Sequence, residues 1–227
     1  MPKISRLRQK AFDFWQQQVK QGNFVISSKD FPDEYCRRFL LRQDLLFQLK
    51  SGLYLLKNKG QAEAGLVYQN YWQIIKLVLA NYEPWSIEKK SALNSYLGDE
   101  SIPHKLMVRT KRNVKYAVNL PFGLTIMIRP DTNLNEKTRQ AWRLKESLVY
   151  LDIPERVLLT VRQRNQAGFM AFLKATKFDS RFLDVLYSKQ PKPVAVKEIV
   201  GLAKKVGRLD LANDLAAIYQ RYTVYRV

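Results

Sequence analysis

Four residues close together, Arg37, Arg38, Arg42 and Gln43, carry side chains suited to reading base edges in a DNA major groove. Arginine donates two parallel hydrogen bonds to guanine, and glutamine matches the donor and acceptor of adenine. A second group, Lys3, Arg6, Arg8 and Lys10, crowds one amphipathic stretch and suits phosphate contact, which sets register but reads no sequence. Lys57 and Lys59 sit in the basic segment Lys57-Asn58-Lys59-Gly60, the composition of a hairpin tip that touches phosphate or minor groove. Lys29, Lys50, Lys111 and Arg112 complete the residues expected to meet DNA.

Catalytic chemistry has little to work with. His104 is the only histidine and Cys36 the only cysteine of the 227 residues, so neither a Ser/His/Asp arrangement built on several histidines nor a cysteine zinc cluster is expected. A Walker A sequence and a glycine-rich dinucleotide fingerprint are both missing. Asp131, with Glu136-Lys137 close by, is the one trace of the carboxylate-plus-lysine pattern of a metal-dependent nuclease, and the segment reads as a loop where that pattern needs adjacent strands. The expectation is therefore no catalytic residues, no metal and no cofactor.

Charge agrees with the arginines and lysines. The chain holds 39 Lys+Arg against 20 Asp+Glu, a formal net charge of +19, and such an excess raises affinity for polyanions through counterion release. Residues 1–59 hold 12 basic and 5 acidic side chains, a net of +7, and residues 105–145 hold 10 and 2, a net of +8. Hydrophobic residues make up 46% of the chain, enough to build cores, so folded faces must carry the charge. A lone cysteine suits a reducing cytosol. Met1–Arg6 lacks the apolar run of a signal peptide, and the longest apolar candidate, Tyr71–Ala80, is short and contains Lys76. A cytoplasmic protein with no membrane partner is expected.

The elements that would position these side chains follow from periodicity. Ile4, Leu7, Ala11, Phe14, Trp15 and Val19 recur at helical spacing up to Gly22-Asn23. Phe24-Val25-Ile26 is a short apolar run, and a serine of Ser27-Ser28 can cap a brief second helix. The spacing of Tyr35, Phe39, Leu40, Leu46 and Leu49 predicts a third helix from Asp33 to about Lys50, and Leu53–Leu56 predicts a strand running into the basic turn. Helix, short helix, helix, strand and basic tip is the order of a winged helix-turn-helix. Gln61–Asn81 predicts one connecting helix, and Ser86–Leu97 another, ended by Gly98. Alternation then predicts three strands around Leu106–Thr110, Val114–Val118 and Leu124–Ile128. Short helices should follow Asp131, separated by breaks such as Lys189–Pro193. Tyr54, Tyr71, Trp72 and Trp85 lie within apolar runs, which suits core packing better than base stacking. The expected class is α+β: residues 1–60 a winged helix-turn-helix, 61–85 a connecting helix, and 86–227 a small antiparallel sheet packed with several short helices.

Three segments carry a resemblance. Ser51-Gly52-Leu53-Tyr54, Ser91-Ala92-Leu93, and Ile102-Pro103-His104-Lys105-Leu106-Met107-Val108-Arg109-Thr110-Lys111-Arg112 make the chain similar, over roughly residues 5–130, to AbiEi-type antitoxins of type IV toxin–antitoxin systems. The resemblance implies a double-stranded-DNA-binding transcriptional autorepressor whose second domain neutralises a nucleotidyltransferase toxin. The alternatives are a DNA-binding subunit of another phage-defence or restriction assembly and, further off, the metal-dependent nuclease.

Overall fold

The computed structural model describes residues 3–145, 147–161, 167–188 and 194–224; the Lys189–Pro193 break falls outside them. The chain divides into two compact units, one made of residues 1–81 and 117–126 and the other of residues 82–116 and 127–227. The first unit thus runs past the boundary at residue 60 that the sequence suggests.

The first unit opens with helix α1 (Lys3–Lys20), whose inner positions Ala11 and Phe14 are buried, with Trp15 and Val19 packed beside them. The helix ends where Gly22 takes φ +72°, a conformation open to glycine without a Cβ penalty. Strand β1 (Val25–Ser27) leads into a single 3-10 turn, Ser28–Asp30, closed by a reciprocal capping box between Ser27 and Asp30. Helix α2 (Glu34–Arg42) starts at Asp33, whose carboxylate accepts from the Cys36 amide at 2.7 Å.

The predicted helix to Lys50 is corrected here. It stops at Arg42 because the chain turns through Asp44 at φ +59°, a conformation aspartate tolerates better than most residues. Strands β2 (Leu46–Lys50) and β3 (Leu53–Leu56) follow, joined by Ser51-Gly52. The three strands form an antiparallel sheet in the order β1-β3-β2, with an irregularity between Gln48 and Lys50. Leu46 and Leu49, spaced as if on a helix, both reach the buried side of this sheet, since the irregularity shifts the alternation by one residue. One core joins Ala11, Phe14, Ile26, Cys36, Leu40, Leu46 and Leu56.

In place of one connecting helix there are two, α3 (Glu63–Gln69) and α4 (Tyr71–Leu79), divided at Asn70. The Asn70 side-chain amide donates to the Leu66 carbonyl at 2.9 Å, which also accepts the Asn70 backbone N–H at 3.0 Å.

The second unit begins with strand β4 (Trp85–Ile87), where the sequence suggested the start of a helix; helix α5 (Lys89–Tyr96) begins only after Glu88. Strands β5 (Lys105–Thr110) and β7 (Thr125–Pro130) match the predicted alternation, whereas β6 (Tyr116–Asn119) begins after Val114, leaves Tyr116 exposed and buries only Val118; residues 117–126, in β6 and the start of β7, fall to the first unit. Two more, β8 (Arg139–Leu144) and β9 (Ser147–Asp152), were not expected. The six-stranded sheet runs β6-β7-β5-β4-β9-β8. It is mixed, not purely antiparallel, because β4 and β9 pair in parallel through Ile87 and Leu151. Five helices complete the unit: α6 (Pro154–Thr160), α7 (Ala167–Ala175), α8 (Ser180–Ser188), α9 (Val194–Lys205) and α10 (Leu209–Val224). Tyr54, Tyr71, Trp72 and Trp85 are all buried, in line with core packing. Among the described residues no helix is long and apolar enough to cross a membrane.

Candidate nucleic-acid interface

Helix α2 packs through Cys36 and Leu40 and turns the opposite side outward. Arg38 and Arg42 lie four residues apart and therefore share one face, with Gln43 at the helix end, and all three are exposed. Arg38 Nε donates to Glu34 Oε1 at 2.8 Å, but both partners are exposed, and such pairs contribute only about 0–1 kcal/mol. Arg38 is thus available to exchange Glu34 for another acceptor. Arg42 makes no ion pair among the described residues.

Arg37 is different. It is half-buried, donates to Tyr54 Oη at 2.9 Å, pairs with Glu34, and lies 5.6 Å from the centre of the Tyr54 ring. These partners tie α2 to β3, and Arg37 serves as a positioning residue instead of a base reader.

The remaining basic side chains separate in the same way. Arg6 and Arg8 are exposed on α1, Lys29 on the 3-10 turn, and Lys59 after β3. Lys50 is half-buried at the end of β2. Lys10 pairs with Asp33 at 3.2 Å. Lys3 opens α1, and its side chain lies outside the described residues. Lys111 and Arg112 are exposed in the turn after β5, in the second unit.

Lys57 is a correction. Only 5% of it is exposed, and its ammonium is held by Asp44 at 2.7 Å and Glu63 at 3.1 Å. The hydrogen bond to Asp44 keeps its pKa above the ordinary lysine range. Its carbonyl accepts from Trp15 Nε1 at 3.2 Å. Lys57 joins α1, the turn at Asp44 after α2, and α3 inside the unit and cannot face a groove. The strand-to-strand tip is Ser51-Gly52, one strand earlier than the sequence suggested.

The second unit gathers charge that sequence reasoning did not connect. Arg109 on β5 donates to Glu88 Oε2 at 2.5 Å and to Asp131 Oδ2 at 3.0 Å, and its Nε lies 3.5 Å from Asp152 Oδ2. Arg156 on α6 reaches the same Asp131 oxygen. Asp131 is therefore occupied by two guanidinium groups, and Glu136 turns to Arg139, so the suggested Asp131–Glu136–Lys137 grouping is not assembled. Among the described residues no three Asp, Glu, His or Cys side chains converge as a metal donor set. These residues come from β5, β9, α6 and the positions just after β4 and β7, and no local spacing could have revealed them.

Burial pushes the Asp152 carboxyl up to about 7 from 3.8, against the opposing pull of Arg109 and the Ser86 hydroxyl that donates to it. Burial, helped by neighbouring Arg109, lowers Arg156 to about 10. Between 3.8 and about 7 the folded protein keeps a proton on Asp152 that the unfolded chain has released. The group contributes stability that is complete below that window and lost as pH rises through about 7. Denaturant unfolding at several pH values should show that Asp152→Asn loses a part of the decline between about pH 4 and 7, on the order of a few kcal/mol. Parallel wild-type and variant curves would remove Asp152 as its source.

No family model matches the chain, and no curated protein sequence matches it significantly. Among solved structures, it is similar to the crystal structure of the RV2827C protein from Mycobacterium tuberculosis, with a TM-score of 0.63 and 14% sequence identity over 93% of this chain and 81% of that one. At that identity the likeness describes the fold.

Proposed function

We propose that the chain binds double-stranded DNA through its first unit as a winged helix-turn-helix, with α2 as the recognition helix and the Ser51-Gly52 turn as the tip of the wing. The carrying observation is the two-sided character of α2, anchored by Cys36 and Leu40 within and presenting Arg38, Arg42 and Gln43 outward. The element order α1, β1, 3-10 turn, α2, β2, β3 supports the reading, as does the formal charge of +19. Arg38 and Arg42 contact bases, Gln43 flanks them, and Arg6, Arg8, Lys29 and Lys59 contact phosphates.

The biological role proposed with it is that of an autorepressor and antitoxin of a toxin–antitoxin operon. Its support is the resemblance to AbiEi-type antitoxins: Ser51–Tyr54 spans the turn into β3, Ser91-Ala92-Leu93 lies on α5, and Ile102–Arg112 contains β5. In this reading the second unit engages a nucleotidyltransferase toxin.

A mobility-shift titration of the full chain against the DNA upstream of its own gene tests the first part. Arg38→Ala or Arg42→Ala should cost about 1–3 kcal/mol on the preferred site and relax selectivity there, whereas Lys59→Ala should weaken all duplexes alike. Unchanged selectivity in both arginine variants would show that α2 is not the reading helix. Wild-type protein without duplex affinity at low salt would end the proposal.

A further inference from the structure

The second unit contains a cavity of about 590 Å³, within the range of about 300–1,000 Å³ found for small-molecule sites. Its lining combines two kinds of side chain, the cations Lys89, Arg109, Arg129, Lys137 and Arg156 and the apolar Leu159, Phe182, Val185 and Leu186.

The charges do not cancel. Arg109, Arg156 and Lys89 are matched by Glu88, Asp131 and Asp152 through the ion pairs of the buried network. Arg129 and Lys137 have no such partner among the described residues and are exposed. Two cations are thus left over at one concave site, where low-dielectric walls concentrate their field. In addition, Arg156 is 6% exposed, and its Nη1 is buried without a hydrogen-bond partner. An unsatisfied N–H of this kind costs free energy that an acceptor would recover.

Of the apolar lining, Phe182 is half-buried and Val185 is 51% exposed, so this part of the lining is accessible. The side-chain amide of Asn133, also in the lining, makes no hydrogen bond among the described residues. It offers a donor and an acceptor together.

From this combination we infer that the cavity binds a nucleotide, its phosphate against Arg129, Lys137 and Arg156 and its base against Phe182 and Val185. The excess of two positive charges fits a phosphate monoester, which carries about −1.5 to −2 at neutral pH. A carboxylate would leave one cation unmatched, and a purely apolar ligand would leave both. An aromatic base uses the apolar lining by stacking on Phe182, and its edge suits the Asn133 amide. This site is separate from the residues assigned to duplex DNA, so it stands or falls independently of that assignment.

Isothermal titration of the full chain tests it, using inorganic phosphate and the 5′-mono- and diphosphates of adenosine, guanosine, cytidine and uridine. At least one nucleotide should bind saturably with a Kd below about 100 μM, and inorganic phosphate at least about tenfold more weakly. Arg129→Ala and Lys137→Ala, exposed and unpaired, should each weaken nucleotide binding about tenfold without altering the unfolding transition. Phe182→Ala should weaken the nucleotide and leave inorganic phosphate unchanged.

Competition by a 5′-phosphorylated oligonucleotide, but not by its hydroxyl-ended counterpart, would identify a nucleic-acid end as the natural source of the phosphate. No competition would identify a free nucleotide. Either result upholds the site. Absence of saturable binding by every nucleotide up to about 1 mM, or binding that survives both Arg129→Ala and Lys137→Ala, overturns it.

Discussion

Replacing Arg109 by methionine should destabilise the second unit by about 3–5 kcal/mol, because it removes the shared partner of Glu88 and Asp131, leaves their charge less compensated, and takes a hydrogen-bonding cation from beside the buried Asp152 carboxyl. The Glu88 and Asp152 side chains are 3% and 0% exposed, and Arg109 itself is 16% exposed, so water cannot replace the lost guanidinium. Arg156 is the only other arginine in the network, and it already serves Asp131 and lies 3.9 Å from Asp152. Methionine fills much of the volume, which confines the effect to charge and hydrogen bonding. Denaturant unfolding followed by the fluorescence of Trp85, buried on β4 beside this network, reads the change. Adding Glu88→Gln to Arg109→Met should restore part of the loss, since one uncompensated carboxylate is then gone. A loss below about 0.5 kcal/mol for the single variant, within the range of ordinary surface substitutions, would mean that the network carries no net stabilisation.

The same network marks the boundary of what the sequence could reveal. Periodicity found α1 and the strands β5 and β7 because each buries an ordinary apolar face. It missed β8 because a core-side position there belongs to Arg139, which is buried, donates to Glu83, Glu136 and the Trp85 carbonyl, and stacks 3.9 Å from the Tyr150 ring centre. A buried arginine reads as a surface residue until its partners are seen. Helix α2 was overextended because Leu45, Leu46 and Leu49 satisfy a helical spacing as well as a strand with one irregularity. Asp44 at φ +59° was the available stop signal. Lys57 failed for a third reason: its partners are 13 and 6 residues away, and a basic segment offers no local hint that one lysine is turned inward. Arg38 and Arg42 lie on one short helix with Gln43 at its C-cap, so the helical period alone brings them together.

Duplex affinity should fall by about 10⁴ between roughly 50 and 200 mM salt if about seven phosphates are neutralised, each contributing about −0.9 to the slope of log K against log salt. Five of the cations belong to the first unit: Arg6, Arg8, Lys29, Lys50 and Lys59, none with an ion pair among the described residues. Lys111 and Arg112 supply the other two, exposed in the turn after β5. Arg38 and Arg42 are left out because their role is to read bases, and Lys57 because Asp44 and Glu63 hold it. The expected slope is therefore about −6. Reversing Lys111 and Arg112 to glutamate should bring it to about −4.5 and weaken binding at low salt several-fold, since two phosphate contacts are lost and the five others remain. Fluorescence anisotropy across a salt series measures both quantities, and an unfolding curve confirms that these exposed changes leave the fold unaltered. A slope and affinity unchanged by the double reversal would assign DNA contact to the first unit alone. If binding to a nucleotidyltransferase toxin were lost in that same variant, the basic turn after β5 would belong to the protein partner, where its charge selects the partner and speeds encounter.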